Sequence, residues 1–137
     1  MSISGKPLGE RRPRILVVDD EAAATRMLGK LLQKRGYDVA EQNDSTKAHA
    51  LARRYRPDLI ILDIFMPWKT GHDLAALFEA DEDLRDIPLI FITAHALLEQ
   101  QLSHFHRVLI KPFSVEELFG HIETALLEKT SSATLHA

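Results

Sequence analysis

Five short apolar runs divide the chain, at residues 15–18, 37–40, 59–62, 89–92 and 108–110. Within these runs the apolar residues mostly follow one another without alternating with polar ones. Short continuous apolar runs are typical of strands that are buried on both faces, as in a parallel sheet. The second run is weaker because it contains Asp38. The pattern therefore predicts five strands.

Amphipathic stretches separate the runs and predict helices. The first, around Met27 to Leu32, repeats apolar residues every three or four positions and stops at Gly36, a favoured residue just after a helix end. Further helices are predicted over 45–55, after Gly71, over 96–105, and from a Ser114–Glu117 capping box onward. This alternation predicts an α/β doubly wound sheet with helices on both faces. We expect one domain over 13–128, a flexible extension over 1–12 and a flexible tail over 129–137.

Composition narrows the function classes. The chain has 137 residues, enough for one domain, and no cysteine, which excludes disulfide scaffolds, thiolate metal sites and cysteine catalysis. A net charge of −3 gives no support for direct nucleic-acid binding, and the Arg11–Arg14 cluster reads as a solvated flank. No apolar run approaches the ~20 residues of a membrane helix. We expect a soluble, cytoplasmic protein without membrane contact.

Polar residues stand where four of the five predicted strands end. They are Asp19 and Asp20 after the first, Asp63 after the third, Thr93 after the fourth and Lys111 after the fifth. The carboxyl ends of parallel strands share one edge of the sheet, where such folds bind ligands. We therefore expect three carboxylates, a hydroxyl and an ammonium group to converge in one cleft.

This set of side chains favours magnesium and phosphoryl chemistry. Three clustered carboxylates would raise one another's pKa values, and Mg²⁺ relieves this because it prefers oxygen ligands and binds phosphate oxygens. Lys111 and Thr93 could hold two further phosphoryl oxygens. Asp63, at the centre, is then the candidate nucleophile, forming an aspartyl phosphate.

The same residues lie in motifs that resemble the receiver domain of bacterial response regulators. The motifs are Asp19-Asp20, the run 62–67 with Gly71, Thr93-Ala94 and Lys111-Pro112-Phe113. The resemblance covers nearly the whole chain and implies a flavodoxin-like fold with strand order 2-1-3-4-5. It implies a phosphoacceptor switch rather than an enzyme, phosphorylated by a histidine kinase or phosphotransfer protein, monomeric or weakly dimeric, and signalling to an unidentified downstream protein.

Individual roles also follow from the resemblance. Asp20, Asp63 and the backbone carbonyl of Phe65 would bind Mg²⁺ directly, and Asp19 would act mainly through water. Thr93 and Lys111 would contact the phosphoryl group on Asp63. The peptide bond before Pro112 is usually cis in the family.

Two departures keep an alternative open. The family's usual aromatic residue three positions before the lysine is Val108 here, and the interval from Thr93 to Lys111 is shorter by about one helical turn. Phe105 or His106 could substitute for the missing aromatic. A receiver-fold binding module with weak or no phosphorylation is therefore an alternative. A haloacid-dehalogenase-type phosphatase is disfavoured because Phe65 occupies the position of its general acid.

Three other positions have open interpretations. His95 follows Thr93 by two residues and either tunes the pocket or lies on the surface. Trp68 either covers the pocket rim or contacts a partner. His104 and His106 make a poor zinc site because a third ligand is missing.

Overall fold

The computed structural model describes residues 11–95 and 107–136. Five parallel strands form one sheet: β1 (Arg14–Val18), β2 (Asp38–Gln42), β3 (Leu59–Asp63), β4 (Leu89–Thr93) and β5 (Arg107–Ile110). Their order across the sheet is β2-β1-β3-β4-β5, which confirms the predicted order. β2 lies further along the chain than predicted because its pairing with β1 continues to Val18 opposite Gln42. The polar residues at the end of β2 are tolerated because β2 is an edge strand of the sheet.

Four α-helices lie within the described residues: α1 (Ala22–Lys34), α2 (Ala48–Tyr55), α3 (Gly71–Ala80) and a C-terminal helix (Val115–His136). The helix predicted over 45–55 is split, because its first residues, Ser45–Lys47, form a 3₁₀ turn. The Asp44 carboxylate caps this turn by accepting a hydrogen bond from the Thr46 N–H at 2.9 Å. The C-terminal helix continues beyond residue 128, where the sequence suggested a flexible tail. The helix predicted over 96–105 lies outside the described residues.

Both faces of the sheet are covered, which explains the continuous apolar runs. On one face, Leu16, Ile60 and Phe91 pack with residues of α2 and α3. On the other face, Val17 and Ile61 pack with residues of α1 and the C-terminal helix. Neighbouring strand residues point to opposite faces, so a strand buried on both sides needs apolar residues at every position.

The edge of the sheet opposite the predicted cleft contains a buried ion pair. Asp58, 2% exposed, accepts a hydrogen bond from the Arg14 N–H at 2.8 Å and two from the Arg11 guanidinium at 2.6 and 2.9 Å. Arg11 therefore has a buried partner, and the expectation that its side chain lies on a solvated flank was wrong. The Asp58 carboxylate therefore holds the segment before β1 against the start of β3.

No helix in the described part of the chain combines the length and apolarity needed to cross a membrane.

Candidate functional site

The carboxyl ends of β1 and β3 bring three aspartates together. Oxygen atoms of Asp19, Asp20 and Asp63 all lie within 4.8 Å of one another. Asp19 is buried, Asp20 is exposed and Asp63 is intermediate, so the cluster opens to solvent on one side. The Lys111 ammonium at the end of β5 lies 3.8 Å from Asp19 Oδ2 and 4.0 Å from Asp63 Oδ1.

The electrostatics of this cluster favour a bound cation. Burial, reinforced by the neighbouring charge of Asp19, raises the pKa of Asp63 to about 6, although Lys111 acts in the opposite direction. Burial also raises the pKa of Asp19. One lysine therefore does not offset the crowding of three carboxylates. Their all-oxygen ligand set fits a hard divalent cation such as Mg²⁺.

Asp19 is fixed through its backbone and its side chain. Its N–H donates to the Gln42 carbonyl at 3.2 Å, and its Oδ1 accepts from the Glu21 N–H at 3.0 Å. The Asn43 amide donates to the Asp19 carbonyl at 2.8 Å. The loop between β1 and α1 is thus tied to the end of β2.

Thr93 and Lys111 are linked through the backbone. Thr93 ends β4 and is fully buried, and its carbonyl accepts a hydrogen bond from the Lys111 N–H at 2.8 Å. Its hydroxyl oxygen accepts from the His95 N–H at 3.1 Å. The Lys111–Pro112 peptide bond is cis, as the sequence motif predicted.

Gly71 supports the backbone that carries Asp63. Its N–H donates to the Ile64 carbonyl at 2.8 Å, and a Cβ atom at this position would lie only 2.7 Å from the Asp63 carbonyl oxygen. The start of α3 therefore packs against the end of β3 at a distance that only glycine permits.

Two aromatic features occur in the connections that follow β3 and β4. The rings of Phe65 and His95 meet edge to face, with centroids 4.9 Å apart. Trp68, in the loop between β3 and α3, is 86% exposed and has a positive φ of 72°. The Ser45 hydroxyl donates to the Pro67 carbonyl at 2.8 Å and accepts from the Lys69 N–H at 3.1 Å, which holds this loop.

A cavity of about 540 Å³ adjoins the cluster between α1 and the start of the C-terminal helix. Asp19, Asp63 and Lys111 line one end, and the walls are mainly apolar, with Met27 and Phe113 among them. The acidic cluster is therefore hydrated on one side and bounded by apolar surface on another.

The structure brings together most of the residues that the strand ends predicted. Asp19, Asp20, Asp63 and Lys111 share one cluster, and Thr93 ends the strand between β3 and β5. The roles assigned to these residues and to the Phe65 carbonyl stay predictions.

Other positions have mixed outcomes. Val108 is buried opposite Phe91, so it packs in the core. His104, Phe105 and His106 lie outside the described residues. The sequence did not predict the hydrogen bonds of Asn43. It also did not predict the contact between the rings of Phe65 and His95. Asn43 could have been found from its place after the second strand, on the same edge of the sheet, had the end of β2 been placed correctly.

Comparison with known proteins assigns the family. The model of the response regulator receiver domain matches residues 15–123. The DNA-binding dual master transcriptional regulator RpaA of Synechocystis sp. is 36% identical over 122 residues, covering 86% of this chain and 50% of that protein. The phosphate regulon transcriptional regulatory protein PhoB of Pseudomonas aeruginosa is 34% identical over 116 residues, covering 82% and 51% respectively. The chain thus spans about half the length of these curated relatives.

Solved structures agree with this assignment. The Vibrio cholerae chemotaxis protein CheY4 superposes with a TM-score of 0.76 at 27% identity, covering 83% of this chain and 98% of that chain. The signal receiver domain of a putative Luxo repressor protein from Vibrio parahaemolyticus gives a TM-score of 0.82 at 24% identity, covering 92% and 98%, and supports the fold. The chain belongs to the response regulator receiver domain family.

Proposed function

We propose that this chain is a phosphoacceptor switch of two-component signal transduction that takes a phosphoryl group on Asp63 with the help of Mg²⁺. The observation that carries the proposal is the cluster of Asp19, Asp20 and Asp63, whose oxygens lie within 4.8 Å of one another beside Lys111. The proposed donor is a histidine kinase or a phosphotransfer protein.

In the proposed reaction, a carboxylate oxygen of Asp63 attacks the phosphorus of the donor. The bond from phosphorus to the donor's histidine nitrogen breaks, and its electron pair leaves with that nitrogen. Lys111 and the Thr93 hydroxyl would bind oxygens of the transferred group. Asp20, Asp63 and the Phe65 carbonyl would hold Mg²⁺, with Asp19 acting through water. When bound, the cation would neutralise negative charge on the phosphoryl oxygens and the carboxylates.

The raised pKa of Asp63 supports a requirement for cation binding. With its pKa at about 6, an Asp63 without a cation is partly protonated in mildly acidic solution, and a protonated carboxyl is a poor nucleophile. A nearby positive charge lowers that pKa and keeps the nucleophile ionised.

The output of the switch is proposed to be contact with a downstream protein. The two curated relatives are named as transcriptional regulators, and this chain matches about half of each. A binding module without phosphorylation is the second candidate, because Val108 packs in the core where the family pattern has an aromatic.

Incubation with acetyl phosphate and Mg²⁺, followed by intact-mass measurement, tests the proposal. We expect one added phosphoryl group on the wild type and none on Asp63→Asn, whose amide keeps the shape without the nucleophile. Asp83→Asn is the matched control, because Asp83 lies in the connection that leads from α3 into the start of β4. This variant should be phosphorylated normally. A wild type that gains no mass would support the binding-module function, and a phosphorylated Asp63→Asn would exclude Asp63 as the acceptor.

A further inference from the structure

We infer that Asn43 is a positioning residue for the loop between β1 and α1, which contains Asp19 and Asp20 and is called the metal-binding loop below. Its side chain sets the affinity for Mg²⁺ without touching the ion. The inference rests on the proposed function. It concerns an exposed residue at the end of the edge strand, to which neither the sequence motifs nor the comparisons assign a role.

The amide group of Asn43 forms a bridge between two points of the β1–α1 connection. Its Nδ2 donates to the Asp19 carbonyl at 2.8 Å and to the Thr25 hydroxyl oxygen at 2.9 Å. Thr25 is fully buried, and its hydroxyl donates in turn to the Ala22 carbonyl at 3.0 Å. The bridge therefore joins the loop before α1 to the first turn of that helix.

The backbone hydrogen bonds of Asp19 are made with Gln42, the last residue of β2, and with Asn43, which follows that strand. Its N–H is bound by the Gln42 carbonyl and its C=O by the Asn43 amide. The carbonyl of Asp19 belongs to the peptide group that leads into Asp20, so the Asn43 bond also fixes the direction in which the chain enters the proposed direct ligand.

The start of α1 has little other side-chain support. Its N-cap residue, Glu21, makes no side-chain capping hydrogen bond, and its first turn contains no acidic residue. The Asn43–Thr25 bridge accepts no hydrogen bond from a backbone N–H of α1 and is therefore not a cap, but it connects the first turn of the helix to the metal-binding loop.

The position of the bridge matters because the loop must hold carboxylates against repulsion. Asp19, Asp20 and Asp63 are held within 4.8 Å of one another. Without the Asn43 bond, the loop can relax so that Asp20 moves away, and Mg²⁺ binding must then include the cost of restoring the arrangement. Groups that orient metal ligands typically contribute about 10–100-fold in metal affinity.

The test is isothermal titration of the full chain with Mg²⁺. We expect Asn43→Ala to raise the Kd for Mg²⁺ by about tenfold, the lower end of the range for orienting groups. Thr46→Ala is the matched control. It removes an exposed neutral hydroxyl from the 3₁₀ turn that follows Asn43, and this hydroxyl bonds to Asp44. Its Kd should equal that of the wild type.

Two further measurements separate positioning from general stabilisation. The rate of phosphorylation of Asn43→Ala by acetyl phosphate should recover to within about twofold of wild type at saturating Mg²⁺, because the deficit lies in metal affinity. Thr25→Val should raise the Kd, and Thr25→Ser, which keeps the hydroxyl, should restore it. The Thr25 pair decides the question if Asn43→Ala does not fold.

An Asn43→Ala protein that melts at a lower temperature yet binds Mg²⁺ with the wild-type Kd would overturn the inference. So would a rate deficit that persists at saturating Mg²⁺. Failure of the wild type to bind Mg²⁺ or to accept a phosphoryl group would overturn the proposed function instead, and it would be seen before any variant is compared.

Discussion

At the scale of single residues, the ionised form of Asp63 is less stable in the folded protein than in an isolated aspartate. It shares a partly buried site with Asp19, and its pKa is raised to about 6 by burial first and by that neighbour second. Lys111 lies 4.0 Å away, beyond a direct hydrogen bond. The fold thus gives up some stability to hold the Asp63 carboxyl group beside two other carboxylates.

This crowding predicts a pH-dependent gain in stability for Asp63→Asn in the absence of metal. A carboxyl group whose folded-state pKa is raised stabilises the fold at low pH and loses that contribution as pH rises through about 6. The variant should therefore be more stable than wild type by about 1–2 kcal/mol near pH 8, a value reduced for partial solvation of the carboxylate. The difference should vanish near about pH 4.

Urea unfolding in EDTA at three pH values checks this, with Asp83→Asn as the control for loss of one negative charge. A stability difference that is constant with pH would show that Asp63 is not crowded.

Removal of the buried carboxylate of Asp58 should destabilise the protein, in contrast to removal of the Asp63 carboxylate. Asp58→Asn would weaken the paired bonds to Arg11 and the bond to the Arg14 N–H, all at a site 2% exposed. We expect a loss of about 2–3 kcal/mol, because breaking a buried pair leaves polar groups poorly matched. Chemical denaturation measures it, and a loss no larger than that of the exposed Asp83→Asn would contradict the assigned role.

At the scale of secondary-structure elements, the sequence predicted strands better than connections. Continuous apolar runs as short as that of β3 are typical of strands covered on both faces, because a buried helix needs a longer run. The end of β2 was misplaced because Glu41 and Gln42 are held by backbone pairing, which leaves no apolar signal. The role of Asn43 was missed for the same reason, and the burial of Asp58 depends on a partner 47 positions away.

Two glycines at helical positions should respond in opposite ways to alanine. Gly120 is exposed in the C-terminal helix with nothing within 4 Å of an added Cβ, so Gly120→Ala should stabilise the protein by about 0.5–1 kcal/mol. Gly71→Ala would place its Cβ 2.7 Å from the Asp63 carbonyl oxygen and should cost about 1–3 kcal/mol.

Thermal unfolding of both variants and the Mg²⁺ affinity of Gly71→Ala check this prediction. We expect only Gly71→Ala to weaken Mg²⁺ binding, since only that substitution displaces the backbone of Asp63. Equal melting temperatures for the two variants would be inconsistent with the close contact between α3 and β3.

At the scale of the whole molecule, the sheet separates stability from chemistry. Its two apolar layers enclose the strands, whereas the charged cluster projects beyond their carboxyl ends. This separation made the site predictable from sequence, because parallel strand ends must share an edge. The apolar cavity beside the cluster was not predictable, since it depends on how far α1 stands from the C-terminal helix.

The proposed Mg²⁺ site needs residues from several strand ends, so it exists only in the folded protein. Mg²⁺ binding should for this reason stabilise the entire fold. A ligand at about 100 times its Kd adds about 2.7 kcal/mol to the free energy of unfolding, which raises the melting temperature. Asp20→Ala should reduce this shift more than Asp19→Ala, because Asp20 is the proposed direct ligand. Differential scanning calorimetry with increasing MgCl₂ measures the shift, and identical shifts in all three proteins would exclude the proposed metal site.

The exposed indole of Trp68, five positions after Asp63, gives the molecule a built-in optical probe. Trp68 is the single tryptophan of the chain and is 86% exposed in the loop that follows Asp63. Its fluorescence comes from one position, in contact with water and open to a collisional quencher such as iodide. A partner that docks over the acidic cluster and covers this side chain would shift the emission to shorter wavelength and reduce quenching. The fluorescence of unlabelled protein can therefore report whether a partner covers this side chain.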